Sequence, residues 1–233
     1  MKIAAFAFAI SYALSFASPL AAQTSPVVVE LFTSQGCSSC PAADAILREL
    51  AERDDVIALA LHVDYWDYIG WKDTFGSPAH SDRQRAYAAA GQRRSIYTPE
   101  MIVNGQTDIV GAKAMALSKA ISEHAQETAQ VALDITRDGA NLNISAQKLG
   151  AVTGPMTVYM LRYTPRRVTE IKRGENAGKT IEYSNIVEGW QVLGTWDGAS
   201  PLTLSAPAPG DKPAVVIIQL QNAGAILAAA RVK

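Results

Sequence analysis

PVVVELFTSQGCSSCPAADAILRELAERDDVIALALH, residues 26–62 of the chain, carries three patterns in succession. Residues 26–32 are apolar and rich in β-branched side chains, broken only by Glu30, which predicts a buried strand. Pro41 opens a helical pattern in which Ile46, Leu47 and Leu50 recur at helical spacing. Proline suits a first-turn position because its missing N–H would have found no partner there. Residues 56–66, VIALALHVDYW, form a second apolar strand. Strand, helix and strand make a βαβ unit, and that connection implies a parallel pair.

Cys37 and Cys40, the two cysteines of the chain, lie between the first strand and the helix. A close pair of thiols has three uses: a structural staple, half of a metal site, or a redox centre. A bond closing so small a loop constrains the unfolded chain little, which argues against the staple. Zinc sites take four ligands as a rule, and His62, His80 and His124 show no paired spacing to complete one. Soft thiolates do suit Cu(I), with His62 or Met101 as a third ligand, although no Met-rich or His-rich segment accompanies them. Context favours exchange chemistry, because a C-x-x-C that opens a helix inside a βαβ unit is a redox pattern. Unpaired N–H groups and the macrodipole at the helix start favour a thiolate at Cys37. Cys37 would then attack a substrate disulfide and Cys40 would resolve the mixed disulfide, with no bound organic cofactor. Copper binding by Cys37, Cys40 and His62 is the second reading, and a non-catalytic interaction module the third.

Beyond residue 62 the predicted order continues with a helix over 77–93, capped by Ser77 with Pro78 in its first turn. Two short strands over 98–112 flank Asn104-Gly105, the strongest two-residue hairpin signal, and a helix over 112–127 follows. Residues 26–127 therefore read as a β-α-β-α-β-β-α domain. After residue 128 turn signals recur and no long helical pattern appears, so 130–233 reads as a smaller antiparallel, sandwich-like β domain. Turns are expected there at Asp138-Gly139 and Thr164-Pro165. RGENAGKT, residues 173–180, has the spacing of neither a phosphate loop nor a calcium loop and reads as a turn.

The bulk numbers narrow the setting. Residues 1–22 combine Lys2, an apolar run and small residues near Ala22, the layout of a signal peptide cleaved at about Ala22. Secretion or export to a periplasm follows, a setting in which paired thiols are usually oxidised. No later segment is apolar enough to cross a bilayer, so no membrane anchor is expected after cleavage. The net charge of −1 argues against nucleic acid as a partner. The expected partners are a protein or small thiol or disulfide substrate and a redox recycling partner.

Several side chains have two readings. Glu30, alone in an apolar strand, must be paired or functional. Five aromatics crowd residues 65–75 (Tyr65, Trp66, Tyr68, Trp71 and Phe75) and form either a groove beside the cysteines or a packed wall. Asp64, Asp67, Lys72 and Asp73 among them read as solvated loop charges. Arg83, Arg85, Arg93 and Arg94 read as decoration of a helix face and its following loop. His62 reads as a core histidine and His124 as a surface one.

A cysteine pair after the first strand, with Thr98-Pro99 entering a β-hairpin ahead of a terminal helix, resembles the thioredoxin fold. The resemblance implies that Pro99 is cis and lies against the cysteines. It implies that Thr98 offers backbone hydrogen bonds to an extended partner, and that Glu30 corresponds to the buried acid accepting a proton from Cys40. Trp66 and Trp71 would line the substrate groove. Through ELFTSQGCSSCPAAD, HVDYWDYIGWKD, RQRAY, YTPEMIVNGQ and RGENAGKTIEYSNIV, the chain is identified as a member of a secreted thioredoxin-like family catalogued as domain of unknown function 1223. That family implies no substrate.

Overall fold

The computed structural model describes residues 25–232, and the leader expected over residues 1–22 lies outside them. β1 (Val27–Thr33) and β2 (Val56–His62) pair in parallel from Val27↔Val56 to Thr33↔His62. Helix α1 (Pro41–Ala51) makes the crossover between them. Every residue of both strands is buried, because a parallel pair in the middle of a sheet is covered on both faces. The order continues with α2 (Pro78–Ala90), β3 (Glu100–Val103), β4 (Thr107–Val110) and α3 (Ala114–Ala125). The β3–β4 turn places Asn104 and Gly105 at φ 46° and 69°, the left-handed pair that a tight hairpin needs. A Cβ on Gly105 would meet the Gly224 carbonyl oxygen at 2.7 Å, so space as well as backbone requires glycine there.

After α3 the regular elements of the described residues are strands: β5 (Val131–Asp138), β6 (Asn141–Lys148), β7 (Met156–Glu170), β8 (Thr180–Trp196), β9 (Leu202–Pro207), β10 (Ala214–Leu220) and β11 (Ile226–Val232). Four of these strands complete an eight-stranded mixed sheet in the order β11-β10-β7-β8-β2-β1-β3-β4. The other three form a small antiparallel sheet, β5-β6-β9. The junction is β8 beside β2, through the parallel pair Ala60↔Ile186. There Asn185 takes φ 49° and donates its side-chain amide to the Ala58 carbonyl at 2.9 Å.

Thr164-Pro165 is not the turn the sequence suggests. β7 runs straight through it, and its pairing passes from Thr164↔Ile186 to Arg166↔Ser184, leaving Pro165 opposite Asn185. Proline cannot donate to a ladder and is accommodated where the partner strand is itself irregular.

One face of the large sheet packs Val28, Phe32, Leu59 and Leu61 against Tyr87 of α2, together with Leu161, Val187 and Ile217. The opposite face is covered in two parts. Leu47 of α1 and Leu117 and Ile121 of α3 lie on Val29, Leu31 and Ala58. The small sheet places Val131, Leu142 and Ile144 on Val158, Val216 and Ala228.

Side chains of a strand alternate between faces, so Glu30 shares the α2 face with Val28 and Phe32. There it is fully buried. Arg83 Nε donates to its Oε1 at 2.6 Å and Arg83 Nη2 to its Oε2 at 3.0 Å, while Tyr87 Oη donates to Oε2 at 2.5 Å. Gln219 Oε1 accepts a further bond from Arg83 Nη2 at 3.1 Å. Arg83 is thus a core residue and not surface decoration, with its guanidinium 4.0 Å from the Trp190 ring centroid. Arg93 is also engaged, with Glu100 and Asp108, while Arg85 pairs with Asp82 on the exposed face as expected. His124 is half-buried rather than fully on the surface, since its side chain is 8 % exposed and its Nε2 lies 2.9 Å from Thr107 Oγ1.

Breaking a buried ion pair from one side strands the other charge and costs about 3–5 kcal/mol. Arg83→Met is therefore expected to lower the urea-unfolding free energy by that order, and Glu30→Gln combined with Arg83→Met to recover a large part. A loss under about 1 kcal/mol for the single variant would mean that Glu30 finds water instead.

Candidate functional site

β1 ends at Thr33, and two tight turns carry the chain to α1. The Cys37 N–H bonds the Ser34 carbonyl at 3.1 Å and the Cys40 N–H bonds the Cys37 carbonyl at 3.2 Å. Cys40 is the N-cap of α1, its carbonyl accepting the N–H groups of Ala43 and Asp44 at 2.8 and 3.0 Å. Cys37 and Cys40 form a disulfide with a Cα–Cα distance of 5.4 Å. Both are buried, at 2 % and 0 % exposure, whereas Ser38 and Ser39 between them are exposed. Ser39 Oγ lies 3.4 Å from Cys37 Sγ.

Two walls hold this loop. The first is the aromatic stretch after β2. Trp71 Nε1 donates to Gln35 Oε1 at 2.8 Å, and Asp73 Oδ2 accepts the Gln35 backbone N–H at 2.8 Å. Gly36 packs so tightly on this wall that an added Cβ would lie 3.2 Å from Trp66 Cβ and Ile69 Cδ1. Trp66 Nε1 donates to Thr98 Oγ1 at 2.7 Å, and the Thr98–Pro99 peptide is cis. Trp66, Trp71 and Thr98 are thus gathered at the cysteine loop, and Pro99 is buried at the entry to β3. Tyr68, 80 % exposed, stacks on Trp66 with ring centroids 6.3 Å apart.

The second wall comes from the β7–β8 connection, residues 171–179. Buried Asn176 donates its side-chain amide to the carbonyls of Gln35 and Cys37, both at 2.9 Å. Glu175 Oε2 accepts the Ser38 backbone N–H at 3.2 Å. The turn in RGENAGKT is real, and it closes over the cysteines.

A buried polar cluster lies on the α1 face at the ends of β1 and β2. Thr33 and His62 are register partners on the α1 face of the sheet, and Asp44 of α1 meets them from above. Thr33 Oγ1 donates to Asp44 Oδ1 at 2.8 Å. His62 Nδ1 lies 2.8 Å from Asp73 Oδ2, and the His62 and Tyr183 ring centroids are 4.9 Å apart. Asp44 Oδ2, His62 Nε2 and Tyr183 Oη make no hydrogen bond among the described residues.

Burial pushes the Asp44 carboxyl up to about 7, partly offset by His62 and by the Thr33 hydrogen bond. Burial alone would raise Asp73 too, but His62 and the N–H groups of Gln35 and Phe75 outweigh it and hold that carboxyl below its ordinary value. Burial, with Asp44 and Asp73 adding, raises the Tyr183 phenol. The cluster therefore contains one acid poised near neutrality, one carboxylate held ionised, and a phenol that keeps its proton.

This arrangement corrects two expectations. Glu30 is taken up on the α2 face by Arg83 and Tyr87, while the buried carboxyl on the helix that Cys40 caps is Asp44. Asp73 is not a solvated loop charge; it is 2 % exposed and tied to Gln35, Phe75 and His62. His62 is the paired core histidine expected. Among the described residues no group of three or more His, Cys, Asp or Glu side chains is placed to hold a metal ion. Met101 is packed in the α1-side core.

Sequence reading missed Asp44, Glu175 and Asn176. Asp44 carried a usable signal, since it lies three residues before Leu47 on the buried stripe of α1, where a carboxylate is out of place. Glu175 and Asn176 carried none, because their partners lie 137 to 141 residues away in the chain.

A crystal structure of an Agrobacterium tumefaciens protein is similar to this chain at 33 % identity and a TM-score of 0.76, covering 88 % of this chain and 93 % of that one. HBP35 of Porphyromonas gingivalis shares the fold alone, at 16 % identity and a TM-score of 0.65, over 90 % of this chain and 75 % of that one. No curated protein matches the chain. Residues 28–221 match the family described as Protein of unknown function (DUF1223), and the chain belongs to that family.

Proposed function

We propose that this protein carries out thiol–disulfide exchange through Cys37 and Cys40, in a secreted or periplasmic setting and without a bound organic cofactor. One observation carries the reading: the Cys37–Cys40 disulfide caps α1, and the buried carboxyl of Asp44, which burial pushes up to about 7, lies one helical turn beyond Cys40. Cys40 already has helical dihedrals and Asp44 is four residues on, a separation that places two side chains on the same helix face about 5–6 Å apart at Cβ.

In the dithiol form the Cys37 thiolate attacks a substrate disulfide. A bond forms from Cys37 Sγ to one substrate sulfur, and the other sulfur leaves as a thiolate. Asp44 then takes the proton from the Cys40 thiol, and the Cys40 sulfur attacks Cys37 Sγ. The second substrate thiolate leaves and the protein disulfide forms. Two electrons have passed from the cysteine pair to the substrate, and the reverse sequence passes them back. The substrate would lie against Trp66, Trp71, Thr98 and Pro99, with the exposed Tyr68 ring stacked on Trp66. A thiol-bearing recycling partner completes the cycle.

In glutathione buffers of graded composition, alkylation and mass measurement should show the pair converting reversibly between disulfide and dithiol. Cys40→Ser is expected to accumulate a mixed disulfide with glutathione at Cys37, and Cys37→Ser to lose exchange by at least about a hundredfold, the usual weight of an activated nucleophile. A pair that never leaves the disulfide across that range, or a Cys40→Ser protein that traps no adduct, would overturn the reading.

Asp44 gives a second expectation. A carboxyl raised from 3.8 to about 7 stabilises the fold fully below about pH 4, and that contribution is lost as pH rises to about 7. Urea unfolding between pH 4 and 8 should show wild-type stability falling by about 2–4 kcal/mol more than that of Asp44→Asn. Parallel pH profiles would show that Asp44 does not titrate in this window.

A further inference from the structure

We infer that Glu175, carried to the cysteine loop by the β7–β8 strap, is a positioning residue that weakens the Cys37–Cys40 pair as an oxidant by opposing the Cys37 thiolate. The inference rests on the exchange chemistry proposed above.

The strap is a built element. The Ile171 N–H bonds the Lys179 carbonyl at 2.9 Å and the Gly178 N–H bonds the Ile171 carbonyl at 2.7 Å, closing residues 171–179 into a compact loop. Gly174 sits at φ 78°, and a Cβ there would lie 3.2 Å from Trp71 Cβ, so the strap also leans on the aromatic wall. Asn176 is 1 % exposed and pins the strap to the carbonyls on either side of Gly36. Its Oδ1 accepts from Lys179 Nζ at 2.8 Å, which fixes the amide so that its N–H groups face the cysteine loop. Glu175 is exposed, but its carboxylate is held at the cysteine loop because its neighbour in sequence is locked there.

The hydrogen bond it makes is the informative one. Ser38 N–H, the backbone donor that follows Cys37, is held by Glu175 Oε2 while the disulfide is closed. On reduction a negative charge develops on Cys37 Sγ, one residue before that same donor. Donors that stabilise a thiolate lower its pKa and make the disulfide easier to reduce. A carboxylate that occupies the donor and adds a like charge does the opposite. The other charged groups are Asp44 and the His62–Asp73 couple on the α1 side, and Lys172, Arg173 and Lys179 on the strap itself. Among these, Glu175 alone contacts the loop between the two cysteines. The pair is thereby biased towards a stable disulfide, which suits donation of electrons to substrate more than oxidation of it.

The test is equilibration with glutathione. Two glutathione thiols reduce the pair to a dithiol, the protein S–S bond breaks, the glutathione S–S bond forms, and two protons pass to the protein sulfurs. Glu175→Gln keeps an oxygen acceptor for Ser38 N–H and removes the charge. It is expected to shift the equilibrium towards the dithiol threefold to tenfold at low salt, tenfold being about 30 mV for this couple. The Cys37 thiol pKa, read by the pH dependence of iodoacetamide alkylation, should fall in parallel. Glu175→Lys should move both further, Glu175→Asp should stay near wild type, and the wild-type to Glu175→Gln difference should shrink as KCl rises. A merely structural strap would change thermal stability and leave pKa and potential in place. Wild-type exchange with no shift in either Glu175→Gln or Glu175→Lys would overturn the inference. Absence of exchange in the wild type would instead remove the exchange chemistry on which it rests.

Discussion

β1 is buried on both faces, and that constraint organises the molecule. Alternate side chains of one strand must satisfy two different layers. Val28, Glu30 and Phe32 serve the α2 face, and Val29, Leu31 and Thr33 serve the α1 face. A carboxylate on the first set needs a buried cation, and Arg83 of α2 supplies it. A hydroxyl at the end of the second set needs an acceptor, and Asp44 of α1 supplies that. The two polar groups of one strand thus anchor two helices, one below the sheet and one above. The buried carboxyl on the helix that Cys40 caps is consequently Asp44.

The cysteine loop depends on segments from both halves of the chain. Gln35 is its fulcrum: its N–H goes to Asp73, its side-chain oxygen to Trp71 and its carbonyl to Asn176. Each bond takes a backbone or side-chain group that would otherwise be buried unpaired, at a cost of about 1–3 kcal/mol. The strap that supplies Asn176 can reach because β7 and β8 are long, 15 and 17 residues, and because β8 is docked against β2 through Asn185. The β-rich half therefore contributes directly to the surroundings of the disulfide.

Legibility in the sequence followed the range of the interaction. The strand, helix and hairpin order over residues 26–127 was readable because each signal is local: β-branched runs, Pro41 and Pro78 at helix starts, and Asn104-Gly105 at a left-handed turn. Strand ends were less so. β2 stops at His62 rather than Trp66, since beyond Val63 the chain leaves the sheet to build the aromatic wall. Pro165 misled because a turn residue and an edge irregularity look alike without the partner strand. Arg83 and Asp73 looked solvated because helix α2 has no clear apolar stripe in its sequence, and because a loop aspartate shows its histidine partner only in three dimensions.

By itself the sequence determined an α/β chain with a C-x-x-C at the start of a helix, since periodicity, turn chemistry and residue spacing act over a few residues. Tertiary structure decided which buried carboxyl joins Thr33 and His62, which loop bonds the cysteine loop and which arginine is core. Strand parity selects Asp44 over Glu30, and β8 beside β2 brings Glu175 and Asn176 to the cysteine loop. The physical reason is that charge pairing and burial depend on distance in space, which residue spacing along the chain does not encode.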